Sequence, residues 1–359
     1  MNQRRFKEVY ISSADPYERG VQHGSQVREN ILAICEGYKK SFAKKGFTWQ
    51  EAQEMAMAYV PVLDQKMPDL MHEARGIAAG AHVELSIVML LNLRYELLKL
   101  KKETPETMTE NAECTCFAVL PEAAGGRTFS GQNWDKDLFV EKQLYVIHID
   151  ECNGTKILGL SEPAQLIRNG MNSYGLSLNC ATLLSTLDGK GSAIPTNFMR
   201  RRILQCKSFD EAVSLIENFK PDVSLNYVIA SVKEHKAAAF ETCPRENFRI
   251  DPLNGIITKG NDFVCDPAID RFIPADKDHI RHFRAQRLNE LLKKRRGNID
   301  AEYLKSCLRD HYGAPAGICN HDADADCFTI ASMIYVLDEN YAWMSWGNPC
   351  ENEYNVYKL

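Results

Sequence analysis

The sequence of 359 residues contains no apolar run that could cross a bilayer as a helix, which takes about 20 predominantly apolar residues. No apolar stretch follows the basic residues near its start, so we expect no secretory signal and a cytoplasmic protein. An excess of positive charge is also lacking, since the net charge is -5. We therefore expect neither a nucleic acid nor a membrane as partner.

A zinc-type cysteine pattern is also lacking. The chain has twelve cysteines but no Cys-x-x-Cys pair with zinc spacing, so the simplest interpretation is reduced thiols. The acidic run from Asp322 to Asp326 begins like a calcium loop. However, Cys327 stands where such a loop needs glycine, and Met333 stands where it needs glutamate. We expect no metal site and no cofactor.

The residues before about position 100 predict helices. Asp15 can cap a helix that has Pro16 at its first position, and apolar residues follow at a spacing of three to four. Helices are predicted near residues 49–63, 68–79, 85–100, 195–206, 209–218, 279–294 and 300–311. The polar residues from 101 to 112 resemble an exposed connector.

Short strand-like runs begin after Cys114, and glycine-containing turns separate them, one of which is predicted at Gly170-Met171-Asn172. Strands are predicted near residues 116–120, 128–133, 143–149, 155–160, 176–181, 226–232, 237–242, 255–258, 328–337 and 341–346. The order of these elements predicts an α+β fold with two sheets between helical layers.

Cys114 is the strongest candidate for a nucleophile. If the chain were cut between Glu113 and Cys114, one residue would hold both a thiol and a new α-amino group, which titrates near ~7.7 to 8.0 and can serve as its base. In the precursor the same sulfur could attack the carbonyl of Glu113. Asp135, one strand later, could orient the amine. This arrangement points to an N-terminal-nucleophile amidohydrolase or acyltransferase.

The segment from Glu113 to Pro121, with Gly131-Gln132-Asn133-Trp134-Asp135 after it, resembles the acyl-coenzyme A:6-aminopenicillanic acid acyltransferase family. Further similar segments cover nearly the whole chain, at residues 18–25, 75–81, 92–96, 175–179, 258–263, 284–287 and 329–335. The resemblance implies a four-layer αββα N-terminal-nucleophile hydrolase sandwich. It also implies a precursor that cleaves itself into a helical α chain, residues 1–113, and a catalytic β chain, residues 114–359, which together form one integrated domain.

The resemblance also implies roles for particular residues. Asn261 would stabilise the oxyanion, and Asn179 and Asn320 are weaker candidates for that task. The expected partners are the two fragments of the precursor and a small amide or thioester, with a coenzyme A thioester entering only as an acyl-donor substrate. Neither the acyl group nor the choice between water and an amine as acceptor follows from the sequence.

Three departures from the family pattern leave other functions open. Glu113 stands in place of the usual glycine, Cys116 in place of a hydroxyl residue, and Asn320 in place of an arginine common in relatives. Loss of that arginine would remove a positive charge near the thiol. The alternatives are an unprocessed thiol hydrolase that pairs Cys114 with His23 or another histidine, and a binding protein that kept the fold but lost catalysis.

Overall fold

A computed structural model of the chain describes residues 4–100, 114–189, 194–266, 268–269 and 280–359. Glu113 and the connector from 101 to 112 lie outside the described residues. Helices and strands alternate in groups, as the sequence predicts. Among the described residues no helix is both long and apolar enough to cross a membrane.

The helices fall mostly into an N-terminal group and two later pairs. Their bounds are α1 Pro16–Lys44, α2 Trp49–Met57, α3 Val60–Lys66, α4 Pro68–Ala81, α5 Leu85–Leu100, α6 Leu138–Glu141, α7 Thr196–Ile203, α8 Phe209–Glu217, α9 Ile280–Lys294 and α10 Ala301–Leu308. The predicted cap of α1 is confirmed, because the Asp15 side chain accepts a hydrogen bond from the Tyr17 amide. The single helix predicted over 49–63 is wrong, since α2 ends at Met57 and α3 begins at Val60.

The strands form two sheets. They are β1 Lys7–Ser12, β2 Cys114–Val119, β3 Phe129–Lys136, β4 Tyr145–Asp150, β5 Lys156–Ser161, β6 Asn169–Asn172, β7 Leu176–Thr182, β8 Leu225–Ser231, β9 Lys236–Thr242, β10 Asn247–Ile250, β11 Ile256–Lys259, β12 His321–Asp322, β13 Cys327–Val336, β14 Tyr341–Trp346 and β15 Tyr354–Lys358. The first sheet has the order β1-β4-β5-β6-β7-β8-β9-β10. The second has the order β11-β2-β3-β13-β14-β15, with β12 paired to β13.

The expected four-layer arrangement is confirmed by the packing. The sheets face each other through β2 and β3 on one side and β7 and β8 on the other. Helices α1 and α8 pack on the first sheet, while α9 and α10 pack on the second. Successive side chains of a strand point to opposite faces. Accordingly Cys114, Cys116 and Ala118 of β2 join the core between the sheets, while Phe117 and Val119 pack in the cluster that contains the apolar residues of α9 and α10.

The N-terminal segment contains a strand in addition to its helices. Residues Lys7–Ser12 form β1, which pairs in parallel with β4 and precedes the predicted helices, so the segment described as helical also contains a strand. Helix α1 meets α4 at unusually short range. A Cβ added at Gly24 would lie 2.1 Å from the Ile77 carbonyl oxygen, and one at Gly76 would lie 2.0 Å from that of Tyr17. Only glycine allows this approach of the two backbones.

Candidate active site

Cys114 begins β2, and its side chain points into the space between the sheets. The residue is fully buried. In register, it faces Trp134 of β3, so the neighbouring Asp135 also lies close to the thiol. The backbone amide of Asp135 donates a hydrogen bond to the Cys114 sulfur. The antiparallel pairing of β2 with β3 thus brings the predicted nucleophile and the predicted carboxylate together.

Burial and nearby charges shift the pKa of the Cys114 thiol in opposite directions. Burial raises its pKa to about 11, and the nearby Asp135 carboxylate acts in the same direction. Arg168 and Arg284 lower the pKa of this thiol because their positive charges favour the thiolate. The Arg168 Nη2 atom lies 4.0 Å from Cys114 Sγ. The chain therefore has positive charge near the thiol although Asn320 stands where the family resemblance leads us to expect arginine.

Asp135 is held by groups from three distant parts of the chain. Arg284 of α9 donates to Oδ2 at 2.6 Å, and the Thr329 hydroxyl donates to Oδ1 at 2.6 Å. The Asn320 amide lies 3.4 Å from Oδ2. Both members of the Asp135–Arg284 ion pair are almost completely buried. These contacts fix the carboxylate beside Cys114. In the uncut chain the nitrogen of Cys114 is a backbone amide, so orientation of a free α-amino group by Asp135 stays a prediction.

Asn261 contacts the nucleophilic residue directly, through its backbone. The Cys114 amide donates to Asn261 Oδ1 at 2.6 Å, while Asn261 Nδ2 donates to the carbonyl and the hydroxyl of Thr182 at 3.0 and 2.7 Å. The sequence predicts an oxyanion donor here. Instead, the observed contact uses the carbonyl end of Asn261 to fix the nitrogen of the bond that would be cut. The oxyanion role therefore stays a prediction.

The other two asparagines lie farther from the sulfur. Asn179 donates to the Ser130 hydroxyl at 2.6 Å, and Ser130 pairs with Ala118, four residues along β2 from Cys114. Four strand residues correspond to about 13 Å, so Asn179 is not beside the nucleophile. Asn320 contacts Asp135, with its Nδ2 atom 3.4 Å from Asp135 Oδ2. Neither position supports the direct oxyanion contact that the sequence suggests.

Cys116 and His23 have partners other than the nucleophile. The Cys116 sulfur lies 3.7 Å from Gln132 Oε1, and burial raises its pKa well above the usual range. His23 Nε2 lies 2.6 Å from the Tyr145 hydroxyl, and burial lowers the pKa of this histidine to about 3. Within the part of the chain that the structure describes, no histidine hydrogen-bonds to Cys114. A Cys114–His23 dyad is therefore not formed.

A small cavity of about 40 Å³ lies beside Trp134 and Arg168, which are neighbours of Cys114, and four of its nine lining side chains are positively charged. Its lining includes Arg94, Lys136, Arg168 and Arg200, together with Trp134. The Arg168 guanidinium stacks 4.7 Å from the centre of the Trp134 ring. Among the described residues Arg168 and Arg200 form no ion pair, whereas Arg94 pairs with Glu162. Burial and the neighbouring Arg200 lower the pKa of Arg168. An anionic group would therefore be stabilised here.

The sequence gives no signal that marks Arg168 or Thr182 as site residues, and Arg284 stands out only as part of a segment that resembles the family. An arginine before a short strand carries no signal of its own. Only the folded arrangement shows that Arg168 meets Cys114 and Trp134. Arg284 could not be assigned to Asp135 because the two residues are far apart in sequence and belong to different layers.

Comparison with known proteins identifies the family of the chain. The acyl-coenzyme A:6-aminopenicillanic acid acyl-transferase family matches residues 123–351, a span that includes Asp135, Asn261 and Asn320 and begins after Cys114. The 40 kDa form of the acyl-coenzyme A:6-aminopenicillanic-acid acyltransferase of Emericella nidulans is 25% identical over 280 residues, which are 76% of this chain and 74% of the relative.

Two solved structures show weaker similarity. A conjugated bile acid hydrolase mutant from Clostridium perfringens has 13% identity and a TM-score of 0.46, with 68% of this chain and 97% of that chain covered. A penicillin V acylase from Agrobacterium tumefaciens has 11% identity and a TM-score of 0.38, with 66% and 75% covered. The family match spans well over half of the sequence and carries the assignment. The chain belongs to the acyl-coenzyme A:6-aminopenicillanic acid acyl-transferase family.

Proposed function

We propose that this chain is a precursor that cleaves itself between Glu113 and Cys114 and then acts as a cysteine amidohydrolase or acyltransferase. The α chain would comprise residues 1–113 and the β chain residues 114–359. The observation that carries the proposal is the position of Cys114. It opens a buried strand, its backbone nitrogen is held by Asn261, and its sulfur lies beside Arg168.

Cleavage would begin with attack of the Cys114 sulfur on the carbonyl carbon of Glu113. The peptide C–N bond breaks, a thioester forms, and the nitrogen of Cys114 takes up a proton and becomes a free amine. Water then hydrolyses the thioester and releases the carboxylate of Glu113. Since Asn261 Oδ1 already accepts a hydrogen bond from this nitrogen, the same oxygen can orient the amine after cleavage.

In the mature enzyme the α-amino group would take the proton from the thiol, and the sulfur would attack an amide or thioester carbonyl of the substrate. The resulting acyl-Cys114 is then resolved by water or by an amine. Arg168 is the positive group closest to the sulfur and would stabilise negative charge that develops there. A coenzyme A thioester is one acyl donor that this chemistry accepts.

The charge of the cavity narrows the class of substrate. Arg168 and Arg200 are buried and line the cavity, and neither forms an ion pair among the described residues. Arg200 has the buried Glu96 as an electrostatic neighbour, but two buried positive charges that no carboxylate contacts directly are still stabilised when an anion binds. We therefore propose that the substrate is a small acyl compound that carries a carboxylate or another anionic group next to the bond that is attacked.

The test combines turnover with detection of the acyl-enzyme. A panel of small amides and thioesters, in anionic and neutral pairs, is offered to the wild-type protein and to the Cys114→Ala and Cys116→Ala variants. We expect turnover of the anionic members, loss of turnover in Cys114→Ala, and retained turnover in Cys116→Ala. Mass spectrometry should find the trapped acyl group on Cys114. Turnover by the Cys114→Ala protein, or an acyl group on another residue, would disprove the mechanism.

A further inference from the structure

Four potential metal ligands meet close to the candidate active site, and Asn320, which contacts Asp135, lies between two of them in sequence. His311, Cys319, His321 and Cys350 each offer one donor atom, and all four atoms lie within 4.8 Å of one another. The two sulfurs are 3.6 Å apart, and His321 Nε2 lies 3.5 Å from Cys319 Sγ and 3.2 Å from Cys350 Sγ. The rings of His311 and His321 have their centres 5.1 Å apart.

The distances among Cys319, His321 and Cys350 fit one tetrahedral ion, and the donor atom of His311 lies within 4.8 Å of the other three. Bonds of ~2.3 Å from zinc to sulfur and ~2.0 Å to nitrogen place two sulfurs about 3.8 Å apart and a sulfur and a nitrogen about 3.6 Å apart. The observed sulfur–sulfur distance of 3.6 Å is near this value and far from the ~2.05 Å of a disulfide. Both cysteines are free thiols in the structure. Two thiolates and two imidazoles in this geometry favour Zn²⁺ over magnesium, calcium or manganese.

The fold fixes the ligands from three separate segments. His311 follows α10, Cys319 and His321 lie on the approach to β12 and at its start, and Cys350 follows β14. Backbone hydrogen bonds join these segments, since the Cys319 amide donates to the Asp310 carbonyl at 3.0 Å. The cluster therefore does not depend on flexible side chains that happen to meet.

Neighbouring polar groups contact one of the ligands and lie near another. The Asn348 amide lies 3.5 Å from the Cys319 sulfur and donates to the Asn320 carbonyl at 2.7 Å. His321 directs Nε2 to the sulfurs, and its Nδ1 lies 4.0 Å from the Glu351 carboxylate. At 4.0 Å this carboxylate is beyond hydrogen-bond distance, so it lies on the side of the second nitrogen without fixing the ring.

We propose that His311, Cys319, His321 and Cys350 bind one Zn²⁺ in a structural site. Four protein ligands occupy all coordination positions of a tetrahedral zinc ion and leave none for a substrate. Asn320 lies between two of the ligands and reaches Asp135 at 3.4 Å. The ion would thus fix the segment that carries Asn320 against the carboxylate beside Cys114. This inference does not depend on the proposed cleavage or substrate.

The site escapes a search for sequence motifs. Its cysteines do not form the paired spacing of zinc ribbons and fingers, and the absence of that spacing is the reason that the sequence predicts no metal. The topology alone brings the turn after β14 next to the segment that precedes β12.

The experiment measures zinc in protein without a histidine tag, purified from cells grown with added zinc and without chelators. We expect about one zinc per chain in the wild type and in Cys152→Ser, which changes an exposed cysteine outside the cluster, and below about a tenth of this in Cys350→Ser. His311→Ala is a second variant with less risk to folding, because His311 is exposed. It should also lower the zinc content.

Cobalt provides an independent readout. Apo protein titrated with Co²⁺ should develop the intense visible bands and the thiolate charge-transfer absorption of a tetrahedral site, saturating at about one ion per chain. The Cys350→Ser protein, shown to be folded by circular dichroism, should not. Wild-type protein without zinc and without this spectrum would overturn the proposal, as would unchanged zinc in folded Cys350→Ser. A Cys319–Cys350 disulfide in place of the ion, detected as the loss of two hydrogens, would also overturn it.

Discussion

Arg284 Nη1 lies 2.6 Å from Asp135 Oδ2, and both side chains are almost completely buried. This ion pair connects helix α9 to the strand that carries the predicted catalytic carboxylate. The negative charge of Asp135 disfavours the Cys114 thiolate, and the positive charge of Arg284 opposes this effect.

Arg284→Met should destabilise the protein by about 3–5 kcal/mol, because it leaves the buried Asp135 carboxylate without its cation. Urea unfolding in a Cys114→Ala background measures this effect without interference from cleavage. Arg287→Met is the matched control, since Arg287 lies in the same helix and pairs with the more exposed Asp310 at 2.9 Å. Its cost should stay within about 1 kcal/mol. Equal costs for the two variants would contradict the assignment of Asp135–Arg284 as a structural pair.

Cleavage of the precursor should accelerate with pH. Burial raises the pKa of Cys114 to about 11, so the reactive thiolate is a minor form at neutral pH. Below that pKa its population rises about tenfold per pH unit. Precursor made by cell-free synthesis at low pH and then transferred to pH 7, 8 or 9 should cleave correspondingly faster. The appearance of the two fragments on a denaturing gel gives the rate.

The same assay tests the cause of the pKa. Arg168→Met removes a positive charge that favours the thiolate, so this variant should cleave more slowly than the wild type at each of these pH values. A rate that is independent of pH would show that attack does not require prior formation of the thiolate.

Asn261→Ala should lower kcat of processed enzyme by ~100-fold to 1,000-fold with KM little changed, if Asn261 donates to the oxyanion. Thr182→Val is the control, because it keeps the volume and removes only the hydroxyl that lies 2.7 Å from Asn261 Nδ2. Its effect should be much smaller. Each variant must first be shown to contain free Cys114. If processed Asn261→Ala turns over substrate at the wild-type rate, Asn261 is not an oxyanion donor. Its role would then be to position Cys114.

The sequence supports much of the fold because local signals decide many of its elements. Asp15 and Pro16 fix the start of α1, and the alternation in β2 separates the residues facing the other sheet from those facing the helices. Prediction from the sequence fails where an element depends on contacts with residues far away along the chain. Strand β6 is predicted as a turn because of Gly170, yet this glycine permits close packing on Leu158, whose carbonyl oxygen would lie 2.5 Å from an added Cβ.

The candidate site likewise contains some residues that the sequence predicts and others that only the fold brings together. Cys114 and Asp135 are recognisable because they occur at the ends of neighbouring strands, so their proximity follows from simple hairpin-like pairing. The contacts of Arg168 and Arg284 depend on how separate layers pack, and no local pattern encodes them. Strand β1 is missed for a related reason, since its partner β4 is distant in sequence.

Gly24→Ala should destabilise the protein although alanine favours helices. The new Cβ would lie 2.1 Å from the Ile77 carbonyl oxygen, so α1 and α4 must separate, at a cost of about 1–3 kcal/mol. Ser25→Ala, at the next and exposed position, should change stability by less than about 0.5 kcal/mol. Thermal or urea unfolding distinguishes the two. A neutral Gly24→Ala would contradict the close contact of these helices.

The most direct test of the central claim is N-terminal sequencing, with intact mass, of the purified active protein. We predict two fragments, one of which begins with Cys114, and a single uncut chain for Cys114→Ala that has no turnover. Cys116→Ala, two residues along the same buried strand face, should still yield the fragment that begins with Cys114. Fully active protein in which only Met1 or Asn2 is found at the N-terminus would contradict the account.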